Sequence, residues 1–175
     1  MSDTYSKILQ LNSNGHPMRL NELKNLIKEM DKNAILVFND TRLKEDKDIK
    51  SSGYHFLTSN KSGNTSTAGG SAIGVPSAWR LSDIKCGPEN VLALICDPKG
   101  RMLKVLTCYN RPGRSVDREV FQKFHDLKYK DEDIEGYITG DFNCPHTLLG
   151  SSYTNNQGRE LLSIVNEFDL HTIHR

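Results

Sequence analysis

The stretch that decides the reading is "GYITGDFN" at residues 136–143, an apolar climb that stops on Gly140-Asp141-Phe142-Asn143. Tyr137 and Ile138 favour a strand, so a carboxylate and an amide two positions apart fall where that strand runs out. Asp and Asn after a strand ordinarily serve as turn formers. The same ending recurs, however. Asn12 follows "KILQL" at 7–11, Asn39 and Asp40 follow "AILVF" at 34–38, and Tyr109 and Asn110 follow "KVLTC" at 104–108. Strands that end along one edge of a layered sheet bring such groups into a single cleft.

Working outward, further runs with strand character are "HFLTS" at 55–59, "SAIGV" at 71–75 and "VLALIC" at 91–96. Helical spacing replaces them over 19–31 (Leu20, Leu23, Leu26, Ile27, Met30), over 117–127 (Val120, Phe121, Phe124, Leu127) and over 158–168 (Leu161, Leu162, Val165, Phe168). "DPKG" at 97–100 is a hairpin signal, and "NKSGNTSTAGGS" at 60–71 reads as a polar loop or hairpin tip. No repeat and no shift of composition divides the chain. The pattern predicts a single α+β domain over 1–175, a four-layer sandwich in which two mixed sheets pack face to face between helices.

A chain of 175 residues with 36% hydrophobic and 26% charged residues can bury a substantial core, and such a composition excludes a disordered chain. The net charge of +1 gives no global basic field, so contact with nucleic acid requires a local patch. Cys86, Cys96, Cys108 and Cys144 form no CxxC pair, which argues against a thiolate zinc site. No apolar run reaches the length of a membrane span, and an intracellular location, nuclear or cytoplasmic, is expected. Carboxylates flanked by amides suit a hard divalent cation and the aiming of a water molecule. No nucleophilic Ser or Cys comes with a base. The reaction class this chemistry favours is metal-assisted attack on a phosphate ester.

At this point the residues resemble a family. "ILQLNSNG" is similar to the opening motif of the endonuclease/exonuclease/phosphatase superfamily, and "RLNELKNLIKEM" to its first helix. "ILVFNDTRL" stands where a Gln-Glu-Thr motif is expected. "GGSAIGV", "VLTCYNRPG" and above all "ITGDFNCPHTLLGSSYTNNQGRELL" resemble the apurinic-like endonuclease domain of non-LTR retrotransposon polyproteins. The resemblance implies that Asn12 and Asp40 lie at a Mg²⁺ or Mn²⁺ site and that Tyr109 contacts phosphate. It further implies that Asp141 and Asn143 orient or activate the attacking water and stabilise the transition state. Arg42, Lys44, Lys61, Arg111, Arg114, His146 and Ser151 fall in loops where they would meet phosphate or DNA.

Two departures temper those expectations. The family's metal-binding Glu is Asp40 here, one methylene shorter, and Mg²⁺ tolerates geometric error poorly. Family members also continue beyond the equivalent of this chain's end with further strands and a Ser-Asp-His motif. His171 and His174 lack that context and read as tail residues. Loss of one charge-stabilising group costs on the order of 10²–10³ in rate. The chain is therefore expected to be truncated relative to the family, inactive or weakly active alone, and prone to self-association as a homo-oligomer unless a missing C-terminal segment covers its sheet edges. Two rival readings stand beside the endonuclease: a degenerate nuclease fold retained as a binding or self-assembly module, and a phosphatase-like hydrolase of the same fold.

Overall fold

The computed structural model describes residues 7–13, 25, 33–42, 53–59, 69–84 and 87–173. The helix expected over 19–31 lies outside the described residues apart from Asn25, as do most of the polar loop, Lys44, Lys61, Cys86 and His174. Eight strands are described: β1 (Ile8–Asn12), β2 (Ile35–Asn39), β3 (Tyr54–Thr58), β4 (Ser71–Pro76), β5 (Arg80–Asp83), β6 (Asn90–Cys96), β7 (Met102–Tyr109) and β8 (Glu135–Asp141). They form two four-stranded sheets, ordered β1-β2-β4-β3 and β5-β6-β7-β8. Each sheet is mixed. β1 runs parallel to β2 and β7 parallel to β8, while the remaining pairs are antiparallel.

Period-two alternation explains how the sheets stack. Ile35 and Val37 of β2 and Ile73 and Val75 of β4 face Val91, Ala93 and Ile95 of β6 and Leu103 and Val105 of β7, with Trp79 completing the core between the sheets. Continued two residues at a time, each inner row changes character towards one end. Val37 gives way to Asn39, Val105 to Thr107 and Tyr109, Ile73 to Ser71, and Ile8 to Gln10 and Asn12. The interface is thus apolar for most of its length and polar at a single end, and the candidate site lies at that end.

The polar end holds together through Asn39, whose side chain is fully buried. Its amide donates to Thr107 Oγ1 at 2.9 Å, to the Cys108 carbonyl at 3.0 Å and, more weakly, to Ser71 Oγ at 3.2 Å. Its carbonyl accepts from Gln10 Nε2 at 3.1 Å. Gln10 in turn receives the hydroxyl of Thr139 on the opposite sheet. One carboxamide therefore joins β1, β4 and β7 to β2.

The outer face of the second sheet is covered by two helices, α1 (Arg118–Asp126) and α2 (Asn156–Glu167). Val120, Phe121 and Phe124 of α1 and Leu161 and Ile164 of α2 pack on Leu92, Leu106 and Cys108. Lys104, on the outer face of β7, is buried, and its ammonium reaches the His125 and Leu127 carbonyls at 3.3 and 3.1 Å. A strand lysine thus satisfies orphan carbonyls at the end of α1. Burial lowers its pKa from the ordinary value. The Asn155 side chain caps α2 by accepting from Gly158 N at 2.7 Å.

Two glycines are fixed by close approach. A Cβ at Gly140 would lie 2.1 Å from the Cys108 carbonyl oxygen, the group that Asn39 holds. A Cβ at Gly158 would lie 1.9 Å from the Pro145 carbonyl oxygen, which seats α2 directly on the loop that carries Asn143.

The expected strands are present with ends within a residue or two of their sequence reading, and β5 is an addition. A single apolar residue, Leu81, in "RLSD" gave too little alternation to mark it. Replacing Asn39 by Ala strands several buried partners at once. Urea unfolding of Asn39→Ala is expected to show a loss of about 3 kcal/mol with little change in slope.

Candidate active site

Parallel pairing sets the site's geometry. Asn12 lies opposite Asn39 in the β1–β2 ladder, and Tyr109 lies opposite Asp141 in the β7–β8 ladder. All four therefore stand at strand C-termini, and packing of the sheets brings those ends together. The direct link is a hydrogen bond from Asn12 Nδ2 to Asp141 Oδ2 at 2.6 Å, which bridges the two sheets.

Asp40 follows β2 with φ of +51°, a left-handed conformation that Asp tolerates better than most residues. Its Oδ1 accepts from Gly69 N at 2.9 Å, and the Arg42 Nε lies 3.8 Å away. The ring of Tyr109 lies against Gly69 in turn, so Asp40, Gly69 and Tyr109 form a continuous wall. Burial raises the Tyr109 phenol pKa above its ordinary value, and the neighbouring carboxylates of Asp40, Asp141 and Glu89 raise it further against the opposing pull of Arg111.

Asn143 sits just past β8 with φ of +48°, and its Nδ2 donates to the Asn110 carbonyl at 3.0 Å. Asn110 N donates to the Asp141 carbonyl at 2.9 Å, tying the residue after β7 to the end of β8. Cys144 beside it is buried, and burial pushes its thiol pKa up. Asn12, Asp40, Tyr109, Asp141 and Asn143 thus gather at one end of the sandwich.

The expected phosphate contacts divide. Arg42 is paired with Asp40, and Arg111 is paired with Glu89. Arg114 lines a cavity of about 210 Å³ together with Glu89, Tyr109 and Asn110. Ser151 lines an open groove of about 510 Å³ that also includes Asn143, Phe142 and Tyr153. His146 is almost fully buried, and its Nδ1 accepts from Leu148 N at 3.1 Å. That imidazole caps the short helical turn Thr147–Leu149, and the structure gives it this structural task.

Glu89 is the residue that sequence reading passed over. It stands in the turn just ahead of β6, one period-two step before Val91 of the inner row, so the alternation that marks Asn39 and Thr107, carried one residue past the strand, would have marked it as well. The turn signal of "GPEN" masked it.

The donor set suits a hard cation in kind. Asp40 supplies a carboxylate and Asn12 a side-chain carbonyl, and Mg²⁺ is commonly held by one or two carboxylates with water in the remaining positions. Among the described residues, no cluster of three or more His, Cys, Asp or Glu side chains forms an all-protein cage.

Residues 103–175 match the family model described as endonuclease-reverse transcriptase. The endonuclease domain of TRAS1, a telomere-specific non-LTR retrotransposon, superposes with a TM-score of 0.74 at 17% identity, covering 98% of this chain and 74% of that one. An AP endonuclease from Leishmania major superposes with a TM-score of 0.66 at 13% identity, covering 93% of this chain and 65% of that one. A 3′ phosphatase from Neisseria, bound to a product DNA hairpin, gives 0.56 at 19% identity over 91% of this chain and 71% of its own. A comparison with curated protein sequences returns no match.

The fold is the one shared with the TRAS1 endonuclease domain, and the segment that matches the endonuclease-reverse transcriptase model, residues 103–175, is the part that contains the stretch at 136–143. The two mixed sheets are those of the TRAS1 endonuclease domain, as the resemblance implied. No helix among the described residues is long and apolar enough to cross a membrane.

The raised phenol gives a measurable consequence. In a spectrophotometric titration, Tyr109 is expected to ionise above the ordinary value of 10.0. Because its folded pKa exceeds the unfolded one, the folded state loses stability as pH climbs from 10.0 through that higher value. In Tyr109→Phe both the late titration component and this part of the alkaline loss should disappear.

Proposed function

We propose that this domain is a metal-dependent phosphodiesterase acting on DNA, an endonuclease-type site that works weakly because its metal-binding acid is short. The observation that carries the reading is the Asn12–Asp141 hydrogen bond across the two sheets, set beside Tyr109 and Asp40 at the polar end of the interface. A carboxylate held by an amide, next to a protonated phenol, can aim a water and donate to a phosphate oxygen in one place.

Asp141 is assigned the general base or water-orienting role, with Asn143 two residues beyond it, just past the end of β8. The Tyr109 hydroxyl donates to a non-bridging phosphate oxygen, where negative charge accumulates as the nucleophile attacks. Asn12 fixes the Asp141 carboxylate and turns its own amide oxygen to a second use. Asp40 and Asn12 would hold a Mg²⁺ or Mn²⁺ ion, which supplies Lewis-acid polarisation of the phosphate when bound. The DNA substrate class is supported by the nature of the structural relatives, two of them described as endonucleases and one bound to a DNA hairpin.

One feature favours a second reading, a fold retained for binding alone. The Asp40 carboxylate already receives Gly69 N and lies near Arg42, and both contacts compete with a cation. In either case β8 has no strand partner on its outer edge among the described residues, which supports self-association through that edge.

Nicking of supercoiled plasmid in Mg²⁺ or Mn²⁺ separates the readings. Cutting by the purified chain that falls about 10²-fold or more in Asp141→Ala supports catalysis, while DNA binding with no cutting supports the module. Asp40→Glu restores the longer carboxylate and is expected to tighten Mn²⁺ binding. The free Mn²⁺ signal in electron paramagnetic resonance reads that change without relying on turnover.

A further inference from the structure

We propose that Glu89 is a built-in competitor for phosphate: its carboxylate occupies the Arg111 guanidinium in the resting state, and an incoming phosphate must displace it to engage Arg111. The inference rests on the phosphodiester reading above and assigns a role to a residue that reading does not use.

Three observations place Glu89 for this task. Its main-chain carbonyl accepts from Ser71 Oγ at 2.8 Å and from Tyr109 N at 3.1 Å, so both sheets fix the residue. Its side chain is 16% exposed, and its Oε1 lies against Gly69 at the edge of the Tyr109 ring. That same oxygen is paired with Arg111 Nε, whose side chain is 23% exposed. The pair is therefore mostly shielded from solvent and held beside the phenol.

Charge makes the arrangement consequential. Asp40, Asp141 and Glu89 are close enough to Tyr109 to act on its ionisation, so the pocket is anionic on one side; Arg111 is the cation paired with Glu89, while Arg42 lies beside Asp40. A phosphodiester approaching Tyr109 meets a guanidinium already matched by a carboxylate. Both anions favour a guanidinium for the same reason, charge-assisted hydrogen bonding to its N–H groups. Exchange of one for the other leaves Glu89 beside a bound anion, and that repulsion lowers phosphate affinity. Glu89 would thus weaken retention of any phosphate at this position, including a product phosphate.

The test is a double-mutant cycle on binding, with no divalent metal present. Glu89→Gln keeps the shape and the main-chain bonds but removes the charge. It is expected to tighten binding of a short DNA duplex about fivefold at low salt and to steepen the salt dependence by about one counterion. In an Arg111→Ala background the same substitution should change affinity less than about twofold, because the released guanidinium is gone.

An equal gain in both backgrounds would mean a general field effect and overturn the proposal. Weaker binding by Glu89→Gln would overturn it too. A parallel titration with inorganic phosphate follows the Arg111 Nε–H resonance, which should respond at lower phosphate concentration in Glu89→Gln than in the parent chain. If it responds at the same concentration, the competition does not exist. If it responds earlier while no form binds duplex, the competition stands and the DNA reading of the preceding section falls.

Discussion

The Asn39 carboxamide is the contact on which the architecture of this chain turns. Two sheets can pack on alternating Val, Ile and Leu with no directional preference at all, since apolar burial is insensitive to orientation. Directionality enters only where the inner rows become polar. There Asn39 must reach Thr107, Cys108 and Gln10 simultaneously, and the sheets have little freedom to slide without breaking a buried bond. A packed core supplies most of the stability. The buried polar node supplies the registration that lets Asn12 meet Asp141 across the gap.

The same node explains why the glycine of "GDFN" belongs to the motif. The Cys108 carbonyl faces both Asn39 and the backbone of β8, and a side chain at Gly140 would collide with it. Gly140 and Asp141 are consecutive for connected reasons. The first allows β8 to approach β7, and the second takes the place opposite Tyr109 that this approach creates. The phenol's raised pKa then follows from its burial first and, beyond that, from the carboxylates gathered at the same corner, both of which penalise a further negative charge.

Much of this was legible in the sequence. Period-two alternation gave seven of the eight strands, and polar residues closing apolar runs pointed to one shared edge. Asn12, Asp40, Tyr109, Asp141 and Asn143 could be singled out because each follows or ends a strand. What stayed hidden depended on partners distant in sequence. Asn39 looked like a substituted motif position, yet its importance lies in Thr107 and Cys108, 68 and 69 residues away. Lys104 reads as an ordinary polar residue of an alternating strand until α1 crosses it. His146 matched a family motif, and only the local backbone reveals that its ring is turned inward to a neighbouring amide. Glu89 was obscured because a turn signal and an inner-row position coincided on one residue.

The seat of α2 on Pro145 carries a mechanical implication. With only a hydrogen at Gly158, the helix presses its first turn against the segment leading back to Asn143, and its far end is clasped to α1 by the Arg118–Glu167 ion pair. The two helices are therefore tied to each other at one end of α2 and to the loop of Asn143 at the other. A bulkier residue at Gly158 would push the helix away from Pro145, and the disturbance would emerge at Asn143, two residues further back along the chain.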